Sequence, residues 1–321
     1  MIALEMYADE SFRGKESDIV LAGFVSSIDA WANFSTLWKK RLEQDNHSHF
    51  HAARFRSKHS RLFAALSIHQ RAQLLDDLLA LIKDHAMVGV SCTINQRDYK
   101  SMTTPEFRSR YGSAFAVATA GCFYQAARFI ESTGAPCDEL SVFIEDGHTH
   151  GSGAVDLLLY AKEQAKGIDL DSVPTGTMVF GKPEPMKPLG IGSVGMGSKL
   201  TMRPLQAADI LAYCTFSQPD HWSAGVLDRI AKSVPVVTKE VDRTDIRNFI
   251  DAVNQDEESR AETRQMMHRM RRELGTWGIR MINVSGGMQI DTRGVHEGIE
   301  QIDLQLPIKN FPKVRFSRDK E

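Results

Sequence analysis

The chain has 321 residues, of which 42% are hydrophobic and 25% charged, the composition of a globular protein with one large domain or two ordinary ones. Its apolar runs fall far short of the ~20 residues of a membrane span, and its first residues lack the pattern of a signal peptide. The four cysteines are widely spaced without a CxxC pair, which argues against a structural zinc site or a disulfide framework. We therefore expect a reduced, cytoplasmic protein, and the formal net charge of −2 neither favours nor excludes nucleic acid.

The first half of the chain alternates between β-rich stretches and stretches with apolar residues at helical spacing. In chain order, the patterns predict a strand at 2–8, a turn around Gly14, a strand at 18–27, a helix at 29–43 capped by Asp29, a helix at 68–85, a strand at 86–95 and a helix at 105–132. The first two strands are close enough in sequence to form a hairpin.

The second half begins with a continuous apolar run that is typical of a central strand. The predicted elements are that strand at 140–146, a helix at 152–166 capped by Ser152, a strand at 176–181, a loop at 182–203, a helix at 204–216 begun by Pro204, and a charged helical segment at 240–275. This order predicts a mixed α/β sheet with helices on its faces. We expect one domain over 1–220 and a helical and irregular C-terminal extension, 221–321, packed on the same domain.

Carboxylates end or interrupt buried elements at three distant places. They are Asp9 and Glu10 after the first strand, Glu145 and Asp146 after the strand at 140–146, and Asp209 among the apolar residues of the helix at 204–216. Asp is rarely buried unless its charge is compensated, and a divalent cation shared by several carboxylates would compensate it. Mg²⁺ prefers such oxygen ligands, and two ions about 4 Å apart can hydrolyse a phosphodiester. The alternative is that the strand-end acids are solvated and that Asp209 pairs with an arginine such as Arg203 or caps a neighbouring helix.

Several short stretches carry a family resemblance: "YADES", "GFV", "FHAARF" at 50–55, "VFIEDG" at 142–147 and "PLQAADILAY" at 204–213. Together they resemble the DUF3800 family over roughly residues 1–220. The resemblance implies a ribonuclease-H-like fold. It also implies a metal-dependent nuclease-like site built from Asp9, Glu145 and Asp209, with Glu10 and Asp146 close to them.

Histidines and basic residues supply further candidates. His51 lies in the family-like stretch at 50–55, where it could position a scissile phosphate or support the acids. His47 and His49 would share a face with it in an extended chain and could bind a transition metal, or the segment is a solvated basic loop. His148 and His150, directly after the acids at 145–146, are candidate proton donors.

The segment "GIGSVGMG" at 190–197 contains a GxGxxG pattern, but it follows the predicted loop and no strand, which argues against a dinucleotide site. We expect a flexible loop near the acids that could cover a substrate. Two basic stretches, one with Arg54, Arg56, Lys58 and Arg61 and one with Arg269, Arg271 and Arg272, either contact phosphates or form solvated faces. As substrate contacts we select Arg54, Arg56, Lys199 and Gln206.

The sequence thus predicts a phosphodiester hydrolase that depends on Mg²⁺ or Mn²⁺ and acts on nucleic acid. The alternative is a catalytically inactive ribonuclease-H-like module that binds nucleic acid or protein in a defence or mobile-element system. A third hypothesis is a nucleotide-binding enzyme that uses the glycine-rich segment. A homodimer or a protein partner stays open.

Overall fold

The structure, a computed structural model, describes residues 3–14, 17–57, 60–137, 139–146, 153–156, 158–159, 190–217, 220–251, 254, 280–284 and 287–291. The chain divides into two compact units: one comprises Met1–Lys166 and Pro174–Phe249, the other Gly167–Val173 and Ile250–Glu321. The predicted strand at 176–181, the histidines at 148 and 150, Lys58 and the three arginines at 269–272 lie outside the described residues.

The first unit is built on a six-stranded mixed sheet. Its strands are β1 (Leu4–Phe12), β2 (Asp18–Ser27), β3 (Val88–Asn95), β4 (Glu139–Glu145), β5 (Gly190–Gly197) and β6 (Val236–Val241), in the spatial order β5-β4-β1-β2-β3-β6. The pairs β1–β2 and β2–β3 are antiparallel, whereas β4 runs parallel to both β1 and β5, and β6 runs parallel to β3. The predicted α/β class is confirmed, and the sheet is consistent with a ribonuclease-H-like fold.

Helices flank this sheet. They are α1 (Ile28–Gln44), α2 (Ala52–Arg56), α3 (Ile68–His85), α4 (Gln96–Met102), α5 (Pro105–Tyr111), α6 (Ala114–Ser132), α7 (Pro204–Phe216) and α8 (His221–Ala231). Residues 153–156, 158–159 and 243–251 are also helical, and Arg61–Phe63 form one 3₁₀ turn. Among the described residues, no helix is long and apolar enough to cross a membrane. In the second unit, β7 (Arg280–Val284) and β8 (Gly287–Asp291) form an antiparallel hairpin.

A buried hydrophobic cluster joins α1, α3 and α7 to one face of β2. Phe24 of β2, Trp38 of α1 and Ile210 of α7 are all fully buried in it. α7 reaches both β1 and β2. It can lie close to them because alanines such as Ala207 and Ala208 leave little side chain between helix and sheet. This close packing brings polar residues of α7 onto the strand that carries the first acids.

Three element boundaries differ from the predictions for local reasons. β1 continues to Phe12, which pairs with Ile19 of β2, so that the first acids lie inside the strand and not after it. α1 is capped by Ser27, whose hydroxyl accepts from the backbone N–H of Ala30, and Asp29 lies in the first turn, where its charge complements the helix dipole. The predicted helix at 105–132 breaks at Gly112, whose φ of 92° side-chain-bearing residues rarely adopt.

The glycine-rich segment at 190–197 is strand β5, and the prediction of a flexible loop was wrong. It pairs in parallel with β4, and its small residues fit a tight contact: a Cβ at Gly192 would lie 2.7 Å from the Ser141 hydroxyl. The sheet also gains β6 at Val236–Val241, so the predicted helix at 240–275 begins at residue 243 in its described part. The sheet therefore extends beyond the domain boundary predicted at residue 220.

Candidate functional site

Parallel pairing of β1 and β4 brings the first two acids together. Ala8 pairs with Ile144, so Asp9 and Glu145, each one residue further on, are neighbours across the two strands. Asp9 also pairs with Ala22 of β2, whose side chain belongs to the cluster under α7. Since alternate residues share a face of a strand, the buried Asp9 side chain points toward the helix that carries Asp209.

Lys199 lies at the centre of these acids. Its Nζ is 2.8 Å from Oδ2 of Asp9, 2.8 Å from Oε2 of Glu145 and 3.1 Å from Oδ1 of Asp209. Its side chain is only 12% exposed. The three predicted metal ligands, remote in sequence, therefore converge on a single positive charge. Asp209 pairs with this lysine and not with Arg203, which donates to the carbonyl of Leu200.

Glu10 completes the cluster on the side of β1. One carboxylate oxygen each of Asp9, Glu10 and Glu145 lie within 4.8 Å of one another, an arrangement that could hold a metal ion. Burial and, to a smaller extent, the charge of Glu145 raise the pKa of Glu10 from 4.5 to about 7. Its Oε2 is buried and makes no hydrogen bond with the described residues. Three carboxylates thus contact one ammonium, and the carboxyl group of Glu10 lies beside them.

The pKa values of the two most buried acids move in opposite directions. Burial raises the pKa of Asp9 well above its ordinary value. The charges of Asp209 and Glu145 raise it as well, and these effects together outweigh the opposing effect of Lys199. Burial also disfavours the ionised form of Asp209, but the neighbouring His51 imidazole and the charge of Lys199 lower the pKa of that carboxyl overall. The surroundings of Asp209 therefore favour its ionised form.

Asp209 owes its position to the segment before α2. Its Oδ2 accepts from the backbone N–H of Ala52 at 2.5 Å and lies 3.3 Å from Nδ1 of His51. The Ala52 N–H and the His51 ring both belong to the stretch at 50–55, where His51 was a candidate to support the acids. His51 is about one third exposed, so it borders the cluster and also meets the surface.

Gln206 is structural, and the prediction of a substrate contact was wrong for this residue. It is fully buried; its Oε1 accepts from Nε1 of Trp38 at 2.8 Å and from the N–H of Phe50 at 2.7 Å. Its Nε2 donates to the carbonyl of Lys199 at 2.5 Å. One amide therefore fixes both the segment leading to His51 and the backbone of the central lysine.

The other predicted residues lie around the cluster. Asp146 is exposed, and its backbone N–H donates to Gly197 at the end of β5, so its side chain is outside the group of converging acids. Arg56 pairs with Asp220 at 3.3 Å and also lies over Trp222. Arg54 lines an open pocket of about 410 Å³ whose other residues are Ala53, Ser57, Ser60, Arg61 and Leu62.

The histidines at 47 and 49 do not join a metal-binding group among the described residues. His47 is buried with its ring edge-on to Phe63, and burial lowers the pKa of its imidazole. His49 pairs with the hydroxyl of neighbouring Ser48 at 2.9 Å. Of the two alternatives for this segment, the transition-metal site is therefore not formed by the described residues.

Lys199 as the counter-ion of the acids is the feature that sequence reasoning missed, although Lys199 had been selected as a substrate contact. The clue that the sequence offers is charge balance: the buried Asp209 needs a cation, and Lys199 is the nearest lysine before its helix.

Comparison of the chain with models of known protein families and with curated proteins finds no match. The resemblance to the DUF3800 family therefore stays a prediction.

Proposed function

We propose that the protein is a divalent-metal-dependent phosphodiester hydrolase that acts on nucleic acid. The observation that carries the proposal is the convergence of Asp9, Glu145 and Asp209 within 3.1 Å of the Lys199 ammonium. A cation position lined by three carboxylates, two of them almost fully buried, is the arrangement that hard divalent ions prefer.

The donor set fits Mg²⁺ or Mn²⁺. All candidate ligands are carboxylate oxygens, and Glu10 offers a buried oxygen that has no hydrogen-bond partner among the described residues. Asp9, Glu145 and Asp209 would hold the ion, with Glu10 beside them. When bound, such an ion makes a water molecule more acidic and offsets negative charge on the phosphate.

The chain itself supplies positioning and phosphate contacts. His51 and the N–H of Ala52 hold Asp209 in one orientation, so that it stays ionised and directed at the cluster. Ala53, which directly follows Ala52, is one of the residues that line the pocket with Arg54 and Arg61. Two guanidinium groups next to an acidic centre suit a phosphate chain that runs past it.

The test is cleavage of single- and double-stranded DNA and RNA with Mg²⁺, with Mn²⁺ and with EDTA. We expect metal-dependent cleavage that falls at least about a hundred-fold in Asp9→Asn and in Asp209→Asn, with the fold retained. Asp228→Asn is the matched control, because Asp228 forms an exposed ion pair with Lys232 at 2.6 Å. Cleavage that persists in the Asp9 and Asp209 variants, or in EDTA, would contradict the proposal.

A second candidate follows from Lys199. Because the acids already have an internal counter-ion, the cluster can persist without any metal. The same fold could then bind nucleic acid or a protein partner without cleaving it. Binding of nucleic acid in EDTA that is unchanged in Asp9→Asn, together with no cleavage by the wild type in either metal, would favour this candidate.

A further inference from the structure

We propose that the Lys199 ammonium and a divalent cation compete for the same carboxylates, so that Lys199 is a removable counter-ion which the metal must displace. This inference rests on the metal site of the proposed function. It adds two states of that site: a closed state in which the lysine neutralises the acids, and an open state in which the metal does.

The positions of the two cations overlap. The ammonium approaches the oxygens of Asp9 and Glu145 to 2.8 Å each, and that of Asp209 to 3.1 Å. Mg²⁺ binds carboxylate oxygens at about 2.1 Å, so an ion that shares these three ligands would lie within the volume of the ammonium. Two positive charges at such a distance also repel one another strongly in a buried site.

The side chain can leave while the backbone stays. Gln206 holds the Lys199 carbonyl at 2.5 Å, and the N–H of Met202 donates to the carbonyl of Ser198, so the turn between β5 and α7 is fixed. The lysine stem has four rotatable bonds. The next residue, Leu200, is 57% exposed, which shows that solvent lies close to the turn. Displacement therefore needs a change of rotamer and no movement of the chain.

Competition has a measurable consequence for metal affinity. A ligand that binds only one of two states has its apparent affinity reduced by the fraction of protein in that state. In the wild type, metal binds only after the ammonium has left three carboxylates. A side chain of similar length without charge removes this competing state, so the variant should bind metal more tightly even though it has no new ligand.

The first experiment is calorimetric titration of the full-length protein with Mn²⁺, comparing the wild type with Lys199→Met. We expect about ten-fold or tighter binding by the variant. The matched control is Lys239→Met, because Lys239 on β6 forms a half-buried ion pair with Asp245 at 2.7 Å, and two strands separate β6 from β1. The control should bind Mn²⁺ as the wild type does. Equal or weaker binding by Lys199→Met would overturn the inference.

The second experiment uses the wild type, and so does not depend on the folding of a variant. Acetylation of lysines by a small acylating reagent is followed by peptide mass spectrometry with and without saturating Mg²⁺. We expect acetylation of Lys199 to be slow without metal and to rise several-fold with it, while Lys239 is unchanged. Acetylation of Lys199 that stays slow in Mg²⁺ would overturn the inference.

The outcomes separate the two proposals. If the wild type and Lys199→Met bind Mn²⁺ equally, only the competition is contradicted, and the metal-dependent hydrolase stands. If neither protein binds Mn²⁺ at millimolar concentration, the hydrolase proposal fails and the competition fails with it.

Discussion

The indole N–H of Trp38 donates to the amide oxygen of Gln206 at 2.8 Å, in a fully buried contact between residues 168 positions apart. The same oxygen also accepts from Phe50. Because the amide nitrogen of Gln206 holds the Lys199 carbonyl, this contact links the aromatic core to the acidic cluster. The core of the fold and the geometry of the site therefore depend on the same amide group.

Replacing Gln206 by Leu should destabilise the protein by about 2–4 kcal/mol, because it leaves the buried donors of Trp38 and Phe50 without an acceptor. The measurement is urea unfolding monitored by circular dichroism. Gln73→Leu is the control, since Gln73 makes one exposed hydrogen bond, to Asp77, and should change stability by less than about 0.5 kcal/mol. Equal effects of the two substitutions would contradict the structural role of Gln206.

Asp9→Asn and Asp209→Asn should change the stability of the metal-free protein in opposite directions. The raised pKa of Asp9 means that its neutral form is favoured on folding, so that Asn is tolerated or stabilising. The lowered pKa of Asp209 means that its charge stabilises the fold, so that Asn should cost about 1–3 kcal/mol. Thermal unfolding of each variant and of the wild type in EDTA measures both changes in stability. A loss of stability in Asp9→Asn as large as that in Asp209→Asn would contradict the opposite pKa shifts of the two carboxyl groups.

Glu10 gives the metal-free protein a pH dependence of definite sign. Its pKa rises from 4.5 to about 7 on folding, so between these values the folded protein holds a proton that the unfolded chain has lost. The contribution of Glu10 to stability is therefore largest below pH 4.5 and decreases as the pH rises toward 7, by at most about 1.4 kcal/mol per pH unit.

The comparison that isolates this effect is urea unfolding of the wild type and Glu10→Gln in EDTA between pH 5 and about pH 8. Asp9 also has a raised pKa and contributes with the same sign, so the variant should show a weaker decline and not a flat profile. A decline of the same slope in both proteins would show that Glu10 does not carry the predicted proton.

Much of the fold could be predicted where periodicity and burial agree. The strand at 18–27, the helix at 68–85 and the helix at 204–216 have the bounds that their patterns indicate. The glycine-rich strand β5 could not be predicted, because its residues have low β-propensity and owe their conformation to pairing with β4.

The candidate site, like the fold, has parts that the sequence predicts and parts that it does not. The convergence of Asp9, Glu145 and Asp209 was expected because buried acids need a shared compensating charge. That this charge is supplied by Lys199 depends on the turn after β5, whose conformation the residue pattern does not specify. Asp146 was grouped with its neighbour Glu145, but successive residues at the end of a strand point in different directions, and only Glu145 joins the cluster.

The central claim is that three distant carboxylates form one cation position. Its most direct test is a crystal of the full-length protein soaked in Mn²⁺, with diffraction data collected at the manganese absorption edge. The account predicts an anomalous peak within about 2.5 Å of oxygens of Asp9, Glu145 and Asp209, and a Lys199 side chain turned away from them. A map with no peak there, and with the ammonium still between the three acids at saturating Mn²⁺, would contradict it.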